Sequence, residues 1–255
     1  MNEIREVYAY CGGKEVFKDK RIVIKGRASM TLLPDFFLVT VYNMEAEDLA
    51  RIETYKEIKF LDMNKAVICS GQVEDVYRKY ESTNELFEIS IADGQEFWES
   101  RVSKAVGGGA SFSTTLRTIL IGAKMGGFLA EDKRFVRGQT FTGRLADAVL
   151  SIARGASARA FISDNVLHVV TKGKSEIIVK IQEDDLLEDP ENANGVMIVR
   201  TDVKSWPVGM LHEFRNNRFR LVSKAISADN YEGDWRVELV LVDESYLDDD
   251  GMEGG

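Results

Sequence analysis

The sequence is poor in the residue types on which many catalytic and metal sites depend. Its 255 residues include only 2 cysteines, 2 histidines and 3 prolines. Cys11 and Cys69 lie far apart in strand-like contexts, and neither belongs to a CxxC or Cys/His pair with metal-ligand spacing. We therefore expect two buried, reduced thiols rather than a disulfide or a zinc site.

The two histidines offer little material for a catalytic triad or a His-rich metal site. His168 alternates with valines in a predicted strand, which favours a place in the core or on a sheet face. His212 lies in "LHEFRN", which fails the HExxH zinc pattern because Asn216 occupies the fourth position after it. No zinc protease is predicted.

Long apolar runs and basic clusters are also missing. The longest apolar runs, "FFLV" and "ILIGA", fall far short of a bilayer span, and the charged opening "MNEIREVYAY" lacks the apolar region of a signal peptide. We expect no membrane insertion and a protein that stays soluble inside the cell unless it leaves as part of an assembly. With 33 Lys and Arg against 42 Asp and Glu, and no basic stripe, tight nucleic-acid binding is disfavoured.

What the sequence does contain is typical of a soluble globular protein. Hydrophobic residues make up 44% of it and charged residues 29%. The length is sufficient for one large domain or two to three small domains with an apolar core.

Residues 20–93 have mostly two-residue periodicity, which predicts four or five antiparallel strands in "RIVIKG", "FFLVTVYN", "AVICSGQVEDVYRKY" and "LFEISIA". The polar residues Glu81 to Asn84 predict a hairpin turn. After it, Phe87, Ile89 and Ile91 are predicted to face the core.

The periodicity then changes to that of helices. In "FSTTLRTILIGAKM", Leu116, Ile119, Leu120 and Ala123 have helical spacing, with Ser111 or Ser113 available as N-cap. A second helix is predicted to begin at Thr142, with an apolar stripe of Leu145, Val149, Ile152 and Ala156 and with Gly155 near its end.

The helices are followed by a return to strands. A hairpin turned by Asp164 and Asn165 comes first. The acidic "IQEDDLLEDPENANGV" predicts a surface connection, and "GVMIVR", "RFRLVSKAIS" and "DWRVELVLVDE" predict a closing β unit. The tail "SYLDDDGMEGG" is predicted to be disordered.

Two stretches of the chain are similar to each other. Gly71–Gly94 and Val222–Glu244 each consist of a strand, a polar turn and a strongly alternating strand that ends in "IADG" or "LVDE". This similarity indicates either an internal duplication or the general likeness of any two hairpins, and the sequence leaves both open.

We identify no catalytic, cofactor-binding or metal-binding residues. The glycines of "VGGGASFSTT" precede a helix, but the Lys-Ser/Thr pair of a P-loop is missing and no clean parallel strand precedes them, so a flexible joint with an N-cap is favoured. The acidic "EDDLLED" and "DDDG" lack the EF-hand ligand pattern, and paired glycosidase carboxylates cannot be picked out by sequence.

The order of the parts resembles baseplate hub proteins of long-tailed phages and related contractile injection machines. The resemblance covers most of residues 20–243 and rests on "VYN" with the polar stretch after it, on the "SGQVEDV … ISIADG" hairpin, and on the "LADAVLSIA … ARAFISDNVLHVV" block. It implies an α+β, mainly β fold of two small antiparallel β-barrel tube domains with an intervening helix-plus-hairpin domain. The implied domains are residues 1–97, 98–185 and 186–255, the last with the acidic tail.

The resemblance also implies a non-enzymatic role without cofactors, in a virion tail or baseplate assembled in the host cytoplasm. Such a hub is a homotrimer whose six similar barrels join the hexameric tail tube to a central spike. A three-fold ring matches a six-fold partner when each subunit offers two alike surfaces. Partners would be the tail tube or tube-initiator ring, the spike protein and the tape measure protein. The chain shows no lytic or spike-like extension, so we expect the spike to be a separate polypeptide.

DNA would pass through the lumen of such a ring without tight binding, and the acidic composition suggests a negative lumen that repels phosphates. Three alternatives stay open at this point. They are a distal tail or tube-initiator protein with six copies per ring, a cell-wall hydrolase, and a small-molecule-binding β protein.

Overall fold

The computed structural model describes residues 5–247, which contain eighteen strands and four helices. The helices are α1 (Ala46–Tyr55), α2 (Gln95–Glu99), α3 (Phe112–Ile119) and α4 (Leu145–Gly155). The strands before α3 are β1 (Tyr8–Cys11), β2 (Lys14–Val16), β3 (Ile22–Ser29), β4 (Asp35–Tyr42), β5 (Glu57–Leu61), β6 (Val67–Glu81), β7 (Asn84–Asp93) and β8 (Arg101–Val106). The later strands are β9 (Lys124–Leu129), β10 (Gln139–Arg144), β11 (Arg159–Ser163), β12 (Val166–Val170), β13 (Ile178–Lys180), β14 (Glu191–Ala193), β15 (Val196–Asp202), β16 (Leu211–Phe214), β17 (Asn217–Asp229) and β18 (Trp235–Asp243).

The first part of the chain forms an antiparallel sheet, here called the N-terminal unit. Its strand order is β3-β4-β7-β6-β5-β1-β2. Alternating side chains of its strands are buried, including Val39, Val41, Ile89 and Ile91. The predicted hairpin is confirmed, since β6 and β7 are joined by a two-residue turn in which Ser82 has a φ of +56°.

The last part of the chain forms a second sheet, here called the C-terminal unit, with order β14-β15-β18-β17-β16-β13. Its pairs are antiparallel except for β13 with β16. The two units share one apolar core cluster, to which Ile24 and Val39 contribute from one unit and Val199 and Leu239 from the other. They are joined by hydrogen bonding between β17 and β3 into one 13-stranded sheet.

The middle part of the chain packs its helices on two small sheets. Strand β8 pairs with β10, and β9 pairs with the β11–β12 hairpin. Helices α3 and α4 bury Leu116, Ile119, Val149 and Ile152 in a core cluster of their own. The predicted Asp164–Asn165 turn is confirmed, with φ of +53° and +58° as in a type I′ hairpin.

The predicted mainly β, α+β class is confirmed. The division into domains at 97 and 185 stays a prediction, and β13, which lies before residue 186, pairs with β16 of the C-terminal unit.

Two predicted helix limits are wrong. The helix at "FSTTLRTILIGAKM" begins as expected after Ser111, whose side chain accepts a hydrogen bond from the Thr114 N–H, but it ends at Ile119. Leu120 is extended and Gly122 has a φ of +70°, so Ala123 lies outside the helix.

The second predicted helix begins at Leu145 rather than Thr142, because Thr142 lies in β10 opposite Ser103. Its apolar stripe is buried as predicted. Helix α1 was missed, because its short sequence "AEDLARIETY" buries only Ile52 and reads as a polar loop.

The predicted disordered tail is wrong for its first three residues. Glu244–Tyr246 form a 3-10 turn, and Leu247 is buried against Val222 and Val242. The rest of the tail, 248–255, lies outside the described residues.

Candidate assembly surface

Apart from β2, the N-terminal and C-terminal units have the same strand order and the same order along the chain. Strands β1, β3, β4, β5, β6 and β7 of the first unit correspond, one by one, to β13, β14, β15, β16, β17 and β18 of the second. In each unit the long hairpin (β6–β7 or β17–β18) is flanked on the side of its second strand by β4 or β15, and on its first strand by β5 or β16.

The correspondence extends to an irregularity inside each long hairpin. The register of β6 with β7 shifts between Val73 and Asp75, and that of β17 with β18 shifts between Leu221 and Ser223. In both hairpins the first strand ends the same number of residues after its bulge, at Glu81 and at Asp229. A shared bulge at a shared position favours duplication over the general likeness of two hairpins, since bulges re-aim specific side chains.

The units differ in three respects. Strand β2 has no counterpart in the C-terminal unit. Strand β1 is antiparallel to β5, whereas β13 is parallel to β16. Helix α1 connects β4 to β5, whereas residues 203–210 connect β15 to β16 without a helix.

The seam between the units is a run of paired residues from Ser223–Ser29 to Asp229–Val23. At its end Arg21 donates two hydrogen bonds to the Asp229 carboxylate, at 2.7 and 3.3 Å. Burial by itself would raise the pKa of Asp229, but hydrogen bonds from Arg21 and from the Tyr231 and Glu232 N–H groups lower it below its ordinary value. The seam therefore ends in an ionised pair.

Each unit also has an edge to which no other strand of residues 5–247 is bonded. Beyond Gln72, where pairing with β5 stops, β6 has β7 on one side only, and its residues 77–81 are exposed. The corresponding half of β17 is largely buried because β3 covers it. Strand β14 is also bonded on one side only, to β15, as are the short strands β2 and β13 to β1 and β16.

A second junction attaches the middle part to the N-terminal unit. The Asp93 carboxylate, at the end of β7, accepts hydrogen bonds from the Asp164 and Asn165 N–H groups at 2.7 and 2.8 Å. The Ser70 hydroxyl donates to the Asp164 carboxylate at 3.1 Å. Asp35, directly opposite Asp93 in the register, accepts from the Ser29 N–H at 2.9 Å.

Two carboxyl groups of this junction, Asp35 and Asp93, have raised pKa values. Burial raises the pKa of Asp35 to about 7, with a further rise from Asp93, against lowering by hydrogen bonds from Ser29 and by Lys224. Burial and the neighbouring Asp164 raise the pKa of Asp93 to about 6, against its hydrogen bonds and Lys224. Raised carboxyl pKa values also occur at catalytic sites, but here the carboxylates accept hydrogen bonds from backbone N–H groups of a hairpin turn and of β3.

A buried arginine closes the C-terminal unit. Arg220 is 1% exposed and forms an ion pair with Glu244. It also donates to the carbonyls of Gly209 at 2.6 Å and Lys174 at 2.9 Å. One side chain thus ties β17 to three separate segments of the chain.

The two cysteines and the two histidines lie on four different strands. Cys11 and Cys69 are buried free thiols, as predicted. His168 is buried in β12, stacks on Phe161 and lies 3.1 Å from Glu176, which confirms its place in the sheet. His212 is fully buried in β16, where burial above all lowers its pKa to about 4.

The glycine loop "VGGGAS" joins β8 to α3, and β8 pairs antiparallel with β10, unlike the parallel strand that leads into a P-loop. The acidic "EDDLLED" stretch forms surface ion pairs, including Glu183 with Arg215 at 2.6 Å and Glu188 with Arg200.

Among residues 5–247 no group of three His, Cys, Asp or Glu side chains is placed to hold a metal ion. The helices of the described part are all too short or too polar to cross a bilayer. A pocket beside Arg220 and Glu244 has a volume of about 10 Å³, which is room for one water molecule.

No protein-family model matches the sequence, and no curated protein matches it. Solved structures do. A 43 kDa tail protein of prophage MuSo2 from Shewanella oneidensis has a TM-score of 0.66 at 10% identity, over 94% of this chain and 97% of that one. A tail protein from Neisseria meningitidis has a TM-score of 0.62 at 11% identity, with the same coverage of 94% and 97%.

This chain has the fold of phage tail proteins. The same fold extends to an E. coli component of the type VI secretion system, described as structurally similar to the T4 bacteriophage tail proteins gp27 and gp5. That protein has a TM-score of 0.62 at 8% identity, over 97% of this chain and 79% of its own. At such low identities the similarity establishes the fold of this tail-protein-like chain and leaves its role to be argued from its surfaces.

Sequence reasoning found the two hairpins but missed what joins them. Asp93 and Asp243 end strands β7 and β18, and both accept backbone N–H hydrogen bonds, Asp243 from Ser245 at 2.8 Å. The aspartates in "IADG" and "LVDE" were visible signals. The β17–β3 seam had no local signal, because Ser223–Asp229 and Val23–Ser29 are about 200 residues apart in sequence.

Proposed function

We propose that this protein is a structural tail protein, a baseplate hub whose three copies form a ring of six quasi-equivalent β units. The observation that carries the proposal is the matched topology of the N-terminal and C-terminal units, including the shared bulge. Three copies of a doubled chain present six similar surfaces, which is the number a hexameric tail tube requires. The fold shared with phage tail and type VI secretion proteins supports the same role.

In this role the protein is non-enzymatic and lies in the tail or baseplate of a virion assembled in the host cytoplasm. One face of the ring would meet the tail tube or tube-initiator ring, and the other would hold the spike, with the tape measure protein as a further partner. The hydrolase alternative predicts turnover of peptidoglycan by the purified chain, abolished by replacing one Asp or Glu.

The channel of such a ring would be lined by the solvent face of the 13-stranded sheet. That face alternates with the buried core positions and carries charges of both signs, some of them paired, such as Arg200 with Glu238 at 2.8 Å and Lys79 with Glu88 at 2.6 Å. The lumen in this proposal therefore carries charges of both signs rather than only negative ones. Cations that are already paired with carboxylates hold DNA phosphates weakly, so DNA would pass without tight binding.

The copy number tests the proposal. Native mass spectrometry and sedimentation of the purified protein should give three times the 28.6 kDa chain mass. Two-dimensional class averages of the particles should show a three-fold ring with six similar lobes. Six copies per ring would favour the distal tail or tube-initiator alternative, and a monomer at all concentrations up to about 100 µM would contradict both ring proposals.

A further inference from the structure

We propose that neighbouring copies in the ring join by strand pairing, with the free edge of β6 in one copy bound to the free edge of β14 in the next. This inference rests on the proposed trimer and adds its interface and register. Unpaired strand edges expose N–H and C=O groups that readily add a further strand. Among the described residues, the half of β6 beyond Gln72 and the outer side of β14 are two such edges.

The seam inside each chain supplies the template for this pairing. There, the C-terminal half of β17 binds β3, which joins the second unit to the first. By the topological correspondence, β6 is the counterpart of β17 and β14 is the counterpart of β3. Repeating the seam with these counterparts joins the first unit of one copy to the second unit of another.

The shared bulge fixes the register. Counted from the bulges, Arg78 corresponds to Ile226, since Asp75 and Ser223 are the first paired residues after each shift. In the second unit, Asn192 lies opposite Met197, which lies opposite Leu241. In the first unit, Gly26 lies opposite Phe37, which lies opposite Ile91. Leu241 and Ile91 occupy corresponding positions, so Asn192 corresponds to Gly26.

Since Ile226 lies opposite Gly26 inside the chain, Arg78 would lie opposite Asn192 of the next copy. The adjacent pairs would be Lys79 with Glu191 and Tyr77 with Ala193. This register was set by backbone pairing alone, and it places an ammonium opposite a carboxylate.

The chemistry of the two edges suits this arrangement. Tyr77 and Tyr80 of β6 are 58% and 71% exposed, which is unusual for large aromatic side chains and typical of residues that become covered. The Lys79–Glu191 pair lies on the same side as Tyr77, where an opposite-charge cross-strand pair is favourable.

The two edges are different surfaces, so the contact is head-to-tail and closes only when the rotations of successive copies complete a ring. Strand β14 has three residues and follows Pro190, which cannot donate a hydrogen bond. The contact between copies is therefore shorter than the seam inside the chain. We expect the trimer to dissociate on dilution without unfolding of the chains.

Paired cysteines test the register directly. In the variant Tyr77→Cys/Ala193→Cys, directly opposite residues of adjacent strands lie within disulfide range. Mild oxidation should give a covalent trimer on a denaturing gel under non-reducing conditions. The variant Tyr77→Cys/Met63→Cys serves as the matched control, because Met63 is 65% exposed but lies in the turn before β6. The native cysteines are buried and should not contribute.

The mass and the cross-link are read separately. A trimer by native mass spectrometry without the cross-link between positions 77 and 193, or with equal cross-linking in the control, would overturn the edge pairing while leaving the proposed hub intact. A cross-linked ladder that continues beyond three chains would support the pairing and overturn three-fold closure. A monomer without cross-links would overturn both.

Charge reversal provides a second, independent test. Lys79→Glu and Glu191→Lys should each raise the concentration at which half of the trimer dissociates by about tenfold, because three like-charge pairs form per ring. The double variant should restore the trimer. Lys79 and Glu191 also pair within the chain with Glu88 and Arg200, so recovery in the double variant separates the contact between copies from those pairs. Lys59→Glu, an exposed change of the same sign on β5, should have no effect. Failure of the double variant to recover would count against the proposed register.

Discussion

At the scale of single residues, the buried polar side chains hold separate parts of the chain together. Arg220 connects β17 to Glu244 and to two carbonyls of distant loops. A buried ion pair adds little net stability when it is intact, but removing one partner leaves an uncompensated charge and unsatisfied acceptors.

We therefore expect Arg220→Met to lower the free energy of unfolding by about 3 kcal/mol. Urea unfolding followed by circular dichroism measures this loss. The control is Arg215→Met, which removes the exposed pair with Glu183 and should cost less than about 1 kcal/mol. Equal losses in the two variants would mean that the burial of Arg220 does not increase the cost of its removal in free energy of unfolding.

Asp35 should make stability depend on pH. Its pKa is raised to about 7 in the folded state, mainly by burial, from an ordinary value of 3.8. Because the folded state favours the protonated carboxyl, this contribution is fully present below pH 4 and is lost as the pH rises through 7. The lowered pKa of His212 acts in the opposite direction, losing stability as the pH falls from 6.5 toward 4.

The variant Asp35→Asn separates the contribution of Asp35 to the pH dependence of stability from the contributions of other titratable groups. The amide keeps an oxygen for the Ser29 N–H but cannot ionise. We expect its stability relative to the parent protein to increase between about pH 4 and about pH 8, by a total on the order of 4 kcal/mol. Urea titrations at several pH values measure the difference, and a difference that is constant with pH would contradict the assignment.

At the scale of elements, the hairpin turns are the points where the parts of the molecule attach. The β11–β12 turn reaches the end of β7, where Asp93 accepts the N–H groups of both turn residues. The turn also gains a hydrogen bond from the Gly94 N–H to the Asn165 side chain at 3.2 Å.

Asp93→Ala should therefore loosen the middle part from the N-terminal unit. Two partly buried N–H groups lose their acceptor, and we expect a cost of about 2 kcal/mol. Hydrogen exchange should show faster exchange at the Asp164 and Asn165 amides and little change in β15. Asp202→Ala, which removes an exposed aspartate of β15, is the control. Unchanged protection at the turn would show that Asp93 does not anchor it.

At the scale of the whole molecule, the two units of matched topology leave unlike strand edges free. The seam from β17 to β3 satisfies one edge of each unit, and the β6 and β14 edges are among those left unpaired within the described chain, together with β2 and β13. Head-to-tail contact between unlike edges gives a closed ring when the rotations of successive copies complete a turn, and an open filament when they do not. The trimer mass and the cross-link between positions 77 and 193 are the measurements that decide at this scale.

The sequence by itself determined nine of the strands, the hairpin turns and the burial of α3 and α4. The nine strands are β3, β4, β6, β7, β11, β12, β15, β17 and β18. These follow from local rules: the two-residue alternation of Phe87, Ile89 and Ile91, the positive φ tolerated by Asp164 and Asn165, and the cap offered by Ser111. Its errors at Thr142 and Ala123 concern helix ends, where neighbouring strand pairing and a glycine outweigh helical periodicity.

Only the tertiary structure decided how the two units join and which edges they leave free. Pairing of β17 with β3, the attachment of Asp93 to a turn about 70 residues away, and the burial of Arg220 all depend on groups that are distant in sequence. No local pattern specifies such contacts, because their free energy comes from desolvation and hydrogen bonding that exist only after the chain has folded.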